Sequence, residues 1–293
     1  MESLRDIRRN IKSFRATRQI MRTMKMVASA RMKKAQNGII SARPFAARME
    51  EMLSEVSGHL AAAEGAMRGF CGEADLSRPA GLVVITSDKG LCGSFNVNAV
   101  RAALEWLGEN RGRGAQLFLI GKKGRDYLRR LSMPGVSVAY ENTGIFPKAG
   151  YVHAELLGRA ALAAVSSGAV SELHVIYNEF VSLAAQRAVI KRLLPLDCAA
   201  SRAKGFRDDF IFEPGRAAML EALLPRHVKA QLYRCLLESQ AAELAARMNA
   251  MDAADKNAGE LIDDLALKLN RTRQAMITRE ISEIVGGAEA LSN

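Results

Sequence analysis

RQAMITREISEIVGG, Arg273 to Gly287, lies near the C-terminal end of the chain and at the end of an unusually uninterrupted run. Going back from it to Pro225 there are about sixty residues with one glycine, Gly259, and no proline. At 1.5 Å per residue a helix of that length measures roughly 90 Å, far more than a domain of this size is wide. Pro225 suits the first turn of such a helix, and Gly286-Gly287 suits its stop.

A second long helix is expected at the other end, from Ser3 to about residue 60. Ser3-Leu4-Arg5-Asp6 is an S-x-x-D start, and Leu4, Ile7, Ile11, Phe14 and Met21 recur at heptad a/d spacing. Arg18 and Lys25 interrupt that series at a-type positions. Gly38 and Pro44 are expected to bend this helix rather than end it.

Between them, about Arg78 to Leu196, the rhythm changes. Strand-like runs at 81–87, 115–120, 136–140 and 173–177 alternate with helix-like runs at 97–108, 124–131 and 151–166, and 188–194 suits a hairpin partner for 173–177. That alternation predicts a small Rossmann-like α/β domain. The expected organisation is a helix over 1–60, a linker over 61–77, the α/β insert over 78–196, a linker and short helix over 197–224, and the long helix over 225–293. A helix at each end with an insert between them predicts an antiparallel coiled coil. Its seam would set Ile7, Ile11, Phe14 and Met21 against Leu261, Ile262, Leu265, Leu269, Met276, Ile277, Ile281 and Ile284.

The net charge of +11 is uneven: Met1–Glu50 holds thirteen Lys/Arg against three Asp/Glu, and the remainder is almost neutral. Any acidic partner is met along the first helix. No apolar run is long enough to span a membrane, and Met1-Glu2-Ser3-Leu4-Arg5 opens no signal segment, so the chain is expected to stay where it is made. Cys71, Cys92, Cys198 and Cys235 form no CxxC pair, and the four histidines have no ligand spacing, so neither a disulfide framework nor a metal centre is expected.

Ser87 to Asn96, SDKGLCGSFN, follows a strand and precedes a helix, the usual setting of a phosphate loop, yet matches neither G-x-x-x-x-G-K-[ST] nor G-x-G-x-x-G. Gly121-Lys122-Lys123-Gly124 fails the same test. An interaction loop is the better reading, and no cofactor is expected. Met21 and Met32 suit packing, whereas Met24 and Met26 lie off the seam and suit contact with another chain. A basic stripe of Arg8, Arg15 and Arg22, with Arg5 and Lys12 beside it, leaves two readings open, a face for acidic protein or a nucleic-acid-binding coiled coil, although no aromatic residues interleave with the charges for base stacking.

Four separated blocks of this chain resemble the gamma subunit of the rotary, F-type ATP synthases, bacterial type. They are Asp6–Ser13 with Met24–Met32, Ser87–Gly93, Arg247–Ala258, and Asn270–Ile281 continuing through Glu283–Ala288. The resemblance implies a central rotor shaft with no active site, which couples rotation of the c-subunit ring to ATP synthesis or hydrolysis in the beta subunits. It implies as partners a hexamer of alpha and beta subunits, an epsilon subunit and the c ring, with no nucleic acid. It places the protein at the cytoplasmic face of the bacterial inner membrane, peripherally through the complex. Carried over by residue, it puts Met24, Lys25, Lys89, Leu91, Cys92, Arg271, Arg273 and Gln274 against beta subunits, and Phe210, Phe212 and Glu213 near the c ring and epsilon. Two departures stand out: the cysteine-bearing redox insert of the chloroplast members is absent near 197–204, and Ser94-Phe95 replaces small residues.

Overall fold

The structure is a computed structural model and describes residues 3–57, 70, 74–131, 133–196 and 215–292. Contacts divide the chain into two compact units, one of residues 1–28 with 248–293 and one of residues 29–247. Two helices supply residues to both: α1 (Leu4–Ser57) and α5 (Arg216–Ser292).

In the larger unit a five-stranded sheet has the order β3-β2-β1-β4-β5. Its strands are β1 (Ala80–Ile85), β2 (Ala115–Ile120), β3 (Val136–Asn142), β4 (Glu172–Phe180) and β5 (Gln186–Leu194). All neighbours are parallel except β4 and β5, which form the expected antiparallel hairpin. The central strand β1, AGLVVI, is buried along its whole length, which is why it reads as an unbroken apolar run rather than an alternating one.

Both faces of the sheet are covered. On one, Leu82, Val84, Leu117 and Leu119 pack against Ala99, Ala103, Trp106 and Leu107 of α2 (Phe95–Glu109) and Leu128 of α3 (Lys122–Leu128). On the other, Val83, Ile85, Phe118, Ile120 and Val175 meet Leu157, Ala161 and Val165 of α4 (Tyr151–Ser166). Val228, Leu232, Cys235 and Leu236 of α5 join the same cluster. The first half of the terminal helix is thus part of the core of the α/β insert. Gly158 of α4 permits the close approach, since a Cβ there would stand 2.7 Å from Lys229 Cγ on α5. Along the same stretch, Met32, Ala35 and Ile39 of α1 pack on Leu237, Ala241, Leu244 and Ala245.

Two boundaries differ from expectation. Pro225 lies inside α5, which begins at Arg216 and takes in the expected separate short helix. Proline removes one backbone hydrogen bond there, but Leu223 and Leu224 on its N-terminal side are buried with Met49 and Leu53, and that packing holds the turn in line. Gly286-Gly287 does not stop the helix, which runs on to Ser292. A helical glycine costs only about 1 kcal/mol relative to alanine, and Ala288, Ala290 and Leu291 favour continuation. Pro44 lies within α1 and does not end it.

Candidate functional site

In the smaller unit the N-terminal part of α1 and the C-terminal part of α5 pair antiparallel. Ser3 caps α1: its Oγ accepts the Asp6 N–H at 3.2 Å and donates to the Asp6 carboxylate at 2.7 Å, which holds that carboxyl below its ordinary range. Ile7 is wholly buried, and Ile11 and Ile262 nearly so, with Phe14, Leu265 and Leu269 packed around them. Met21 is half-buried.

Beyond that cluster the seam turns polar. Arg18 and Arg22 each donate Nε–H to Asp255 Oδ1 at 2.9 Å, and Lys25 pairs with Asp252, which Lys256 also reaches at 3.3 Å. Both carboxyls lie below their ordinary range. For Asp252 the cause is the hydrogen bonds from Lys25 and Lys256; for Asp255 burial acts upward, and the bonds from Arg18 and Arg22 outweigh it.

The expected seam is too long. Met276, Ile277, Ile281 and Ile284 are exposed, at 45%, 48%, 56% and 71%. The register that sets Lys25 against Asp252 and Arg22 against Asp255 brings Leu4, the first residue of α1, level with about Arg273, so later residues of α5 have no facing helix. Leu261 also faces out. Of the expected contact residues in this unit, Arg271, Arg273 and Gln274 are exposed, Met24 and Lys25 are half-buried, and Met26 is exposed.

In the larger unit the loop after β1 is held from several sides. Ser87 N–H donates to Asn96 Oδ1 at 2.9 Å, and Ser87 Oγ–H to the Lys89 carbonyl at 2.6 Å. Asp88 accepts backbone N–H groups from Lys122 at 3.0 Å, Gly144 at 2.7 Å and Phe146 at 3.0 Å, tying together the loops after three strands. Beneath it, Gly121 has φ of 89° and passes so close to Thr86 that a Cβ would lie 2.0 Å from the Thr86 carbonyl oxygen. The Asp88 carboxylate occupies the amides that a phosphate would use, so the arrangement suits a closed interaction loop and not a nucleotide cradle.

Lys89 and Leu91 stand out from this loop; Leu91 is 58% exposed at a φ of 62°, rare for a branched side chain. Cys92 does not. It is buried against Phe95 and Ala242, and burial pushes its thiol above the ordinary range, so the expected role as a surface contact is corrected. Its apolar neighbours take the side chain inward while the turn sends Leu91 outward. From α5, Arg247 donates Nη1–H to the Gly90 carbonyl at 2.8 Å and pairs closely with the buried Glu243. Phe210, Phe212 and Glu213 lie outside the described residues.

Sequence reasoning missed the two polar ties. The signal for the first was present in Arg18 and Lys25 standing where apolar residues were due. That for the second was the i, i+4 pair Glu243 and Arg247.

The comparisons bear on what such an arrangement belongs to. A family model described as ATP synthase matches residues 3–291. The ATP synthase gamma chain of Elusimicrobium minutum (strain Pei191) is 47% identical over 302 residues, spanning 100% of both chains. This chain belongs to the family of ATP synthase gamma chains. Another member, from Anaeromyxobacter dehalogenans (strain 2CP-C), is 44% identical over 99% of this chain and 100% of its own. Among solved structures, a chain of the Tetrahymena thermophila mitochondrial ATP synthase central stalk and c ring matches with a TM-score of 0.59 at 27% identity, over 80% of this chain and 99% of that one. A chain of the Euglena gracilis mitochondrial ATP synthase has a TM-score of 0.68 at 21% identity, over 98% and 94%, a likeness of fold. Of the basic stripe that raised nucleic acid as a partner, Arg22 is engaged with Asp255 of the same chain, as Arg18 and Lys25 are with Asp255 and Asp252. Among the described residues no helix is long and apolar enough to cross a membrane.

Proposed function

We propose that this chain is the central rotor shaft of a proton-translocating ATP synthase. It transmits rotation between a membrane c ring and the catalytic beta subunits and has no active site of its own. The observation that carries the reading is the paired-helix unit whose longer helix continues alone, bearing exposed Met276, Ile277, Ile281 and Ile284. A bare apolar stripe on a single helix is stable only where another surface covers it, and a collar formed by the alpha and beta subunits suits it. The proposed beta contacts are Met24, Lys25, Lys89, Leu91, Arg271, Arg273 and Gln274. The epsilon subunit and c ring are the proposed partners at the other end, at the cytoplasmic face of the bacterial inner membrane.

A shaft works by presenting a different side to each beta subunit, so that differential contact selects among conformations. Reversing a site from about 1:99 to 99:1 needs roughly 5.5 kcal/mol of such preference. Basic side chains suit a rotating surface, because attraction to carboxylates at short Debye distance is weakly directional.

The test is Leu265→Pro in the assembled enzyme. A proline inside α5 costs about 3 kcal/mol or more and breaks the paired segment. Proton-driven ATP synthesis is expected to be lost while the sheet of the larger unit stays folded; normal synthesis by this variant would refute the shaft. ATP hydrolysis by the purified chain alone would contradict the non-catalytic role.

A further inference from the structure

Gly259 is the one glycine in the sixty-residue run that follows Pro225, and it is buried in the paired-helix unit. Its backbone is helical and needs no glycine. A Cβ placed on it would lie 3.2 Å from Arg18 Nη2, 3.3 Å from Cζ and 3.5 Å from Nη1. All three contacts are guanidinium atoms, so the Arg18 head lies flat across the bare backbone of α5. From that position its Nε reaches Asp255, one turn away, whose Oδ1 also takes the Nε–H of Arg22.

We propose that Gly259 is the seat of the Arg18 guanidinium, and that the Arg18–Asp255–Arg22 fork sets the register in which the two helices pair. Gly259 is a positioning residue acting through Arg18. The apolar part of the seam is more permissive on this point in one direction, because a slide by one repeat sets Leu269, Thr272 and Met276 where Ile262, Leu265 and Leu269 stand. The fork is not. A slip of seven residues, about 10 Å along the axis, would set Arg18 against Met248 or Ile262 in place of Asp255 and would put Asp252 or Ala266 where Gly259 seats its guanidinium, so the fork would come apart. Lys25 on Asp252 adds a second fixed point in the same register. The inference concerns how the pair is held, and its test requires no partner subunit, so it stands or falls apart from the rotor reading.

Two measurements on the full-length chain test it. The first is the sign of Gly259→Ala on the melting of the paired segment. In an ordinary helix interior alanine stabilises relative to glycine. With Arg18 seated, the methyl instead displaces the guanidinium, and the melting midpoint is expected to fall by on the order of 2 °C. In the Arg18→Gln background the same substitution is expected to raise it. A rise in both backgrounds would overturn the proposal, since Arg18 would then simply swing aside.

The second measurement uses spin labels on Ser13→Cys and Asp263→Cys, both exposed positions of the unit. With the fork intact a single distance population is expected. With Arg18→Gln and Arg22→Gln together, a second population displaced by about one heptad, roughly 10 Å along the axis, is expected. An unchanged single population would show that the apolar seam alone sets the register, and would refute the fork's role.

Discussion

Arg247→Ala tests the tie between α5 and the loop after β1, and its consequence follows from burial. The Arg247 and Glu243 side chains are 12% and 5% exposed, and the Glu243 Oε2 has no hydrogen-bond partner among the described residues. Glu243 therefore depends on Arg247 for its compensation. Removing one partner of a buried pair typically costs 3–5 kcal/mol, because the other charge is left unpaired. For a unit the size of residues 29–247 that corresponds to a fall in midpoint of roughly 6–20 °C. The dependence on pH has a definite sign. Burial already holds the Glu243 carboxyl above its ordinary value of 4.5, opposed by the Arg247 hydrogen bond. Without Arg247 the folded-state value moves further up. A group raised in this way favours the fold in acid, and its contribution is lost as pH rises from the unfolded value through the folded one. Scanning calorimetry at pH 5 and pH 8 should thus show a larger deficit at pH 8. Glu243→Gln in the same chain should restore much of the loss, since a neutral amide is cheaper to bury. A deficit below about 2 °C, or one equal at both pH values, would refute the reasoning.

Ile7→Ala empties a wholly buried position in the paired-helix unit and should cost about 2–5 kcal/mol. Amide hydrogen exchange should accelerate along residues 4–28 and stay unchanged in β1; equal protection in both variants would contradict the packing. Acid should loosen the same unit: Asp252 and Asp255 have depressed carboxyl values, so their stabilisation is present above about pH 4 and is lost as pH falls through the lower folded-state values. Circular dichroism melts between pH 5 and pH 2 should show that loss, and Asp252→Asn with Asp255→Asn should flatten it. Ile281→Ser with Ile284→Ser replaces exposed side chains and should change the stability of the free chain by no more than about 0.5 kcal/mol per site. In the assembled enzyme the same pair is expected to lower coupling, measured as proton pumping per ATP hydrolysed.

Local features made much of the fold readable. The α5 helix announces itself by the sixty-residue run after Pro225 with one glycine and no proline, and β1 by six consecutive apolar residues that match its complete burial. What stayed hidden depends on residues distant in sequence. Val228, Leu232, Cys235 and Leu236 follow a pattern that either a coiled coil or a sheet face would accept. Only the folded chain shows them against Phe118 and Val175. The stripe from Met276 to Ile284 has the right spacing for a seam, and its exposure follows from where α1 begins, which no periodicity within α5 can reveal. Leu91 and Cys92 are adjacent, yet a positive φ at Leu91 sends one outward while the other is buried.

The charged residues of the first helix show why composition alone misleads. An excess of ten cations over Met1–Glu50 reads as a surface awaiting an acidic partner. Three of them, Arg18, Arg22 and Lys25, already have one in Asp252 and Asp255, and these stand in the near-neutral remainder of the chain. Arg8, Lys12 and Arg15 differ: they flank a groove floored by Ile11, Ala266 and Leu269 on the same pair of helices. One helix therefore uses the same residue types for two purposes along its length. Arg18 and Lys25, where apolar residues are due, and Arg22 beside them hold the partner helix, and Arg8, Lys12 and Arg15, nearer the N-terminus, face what lies outside. A shaft needs both, because a surface that only attracts would not fix the two helices to each other, and a seam that only packs would let them slide.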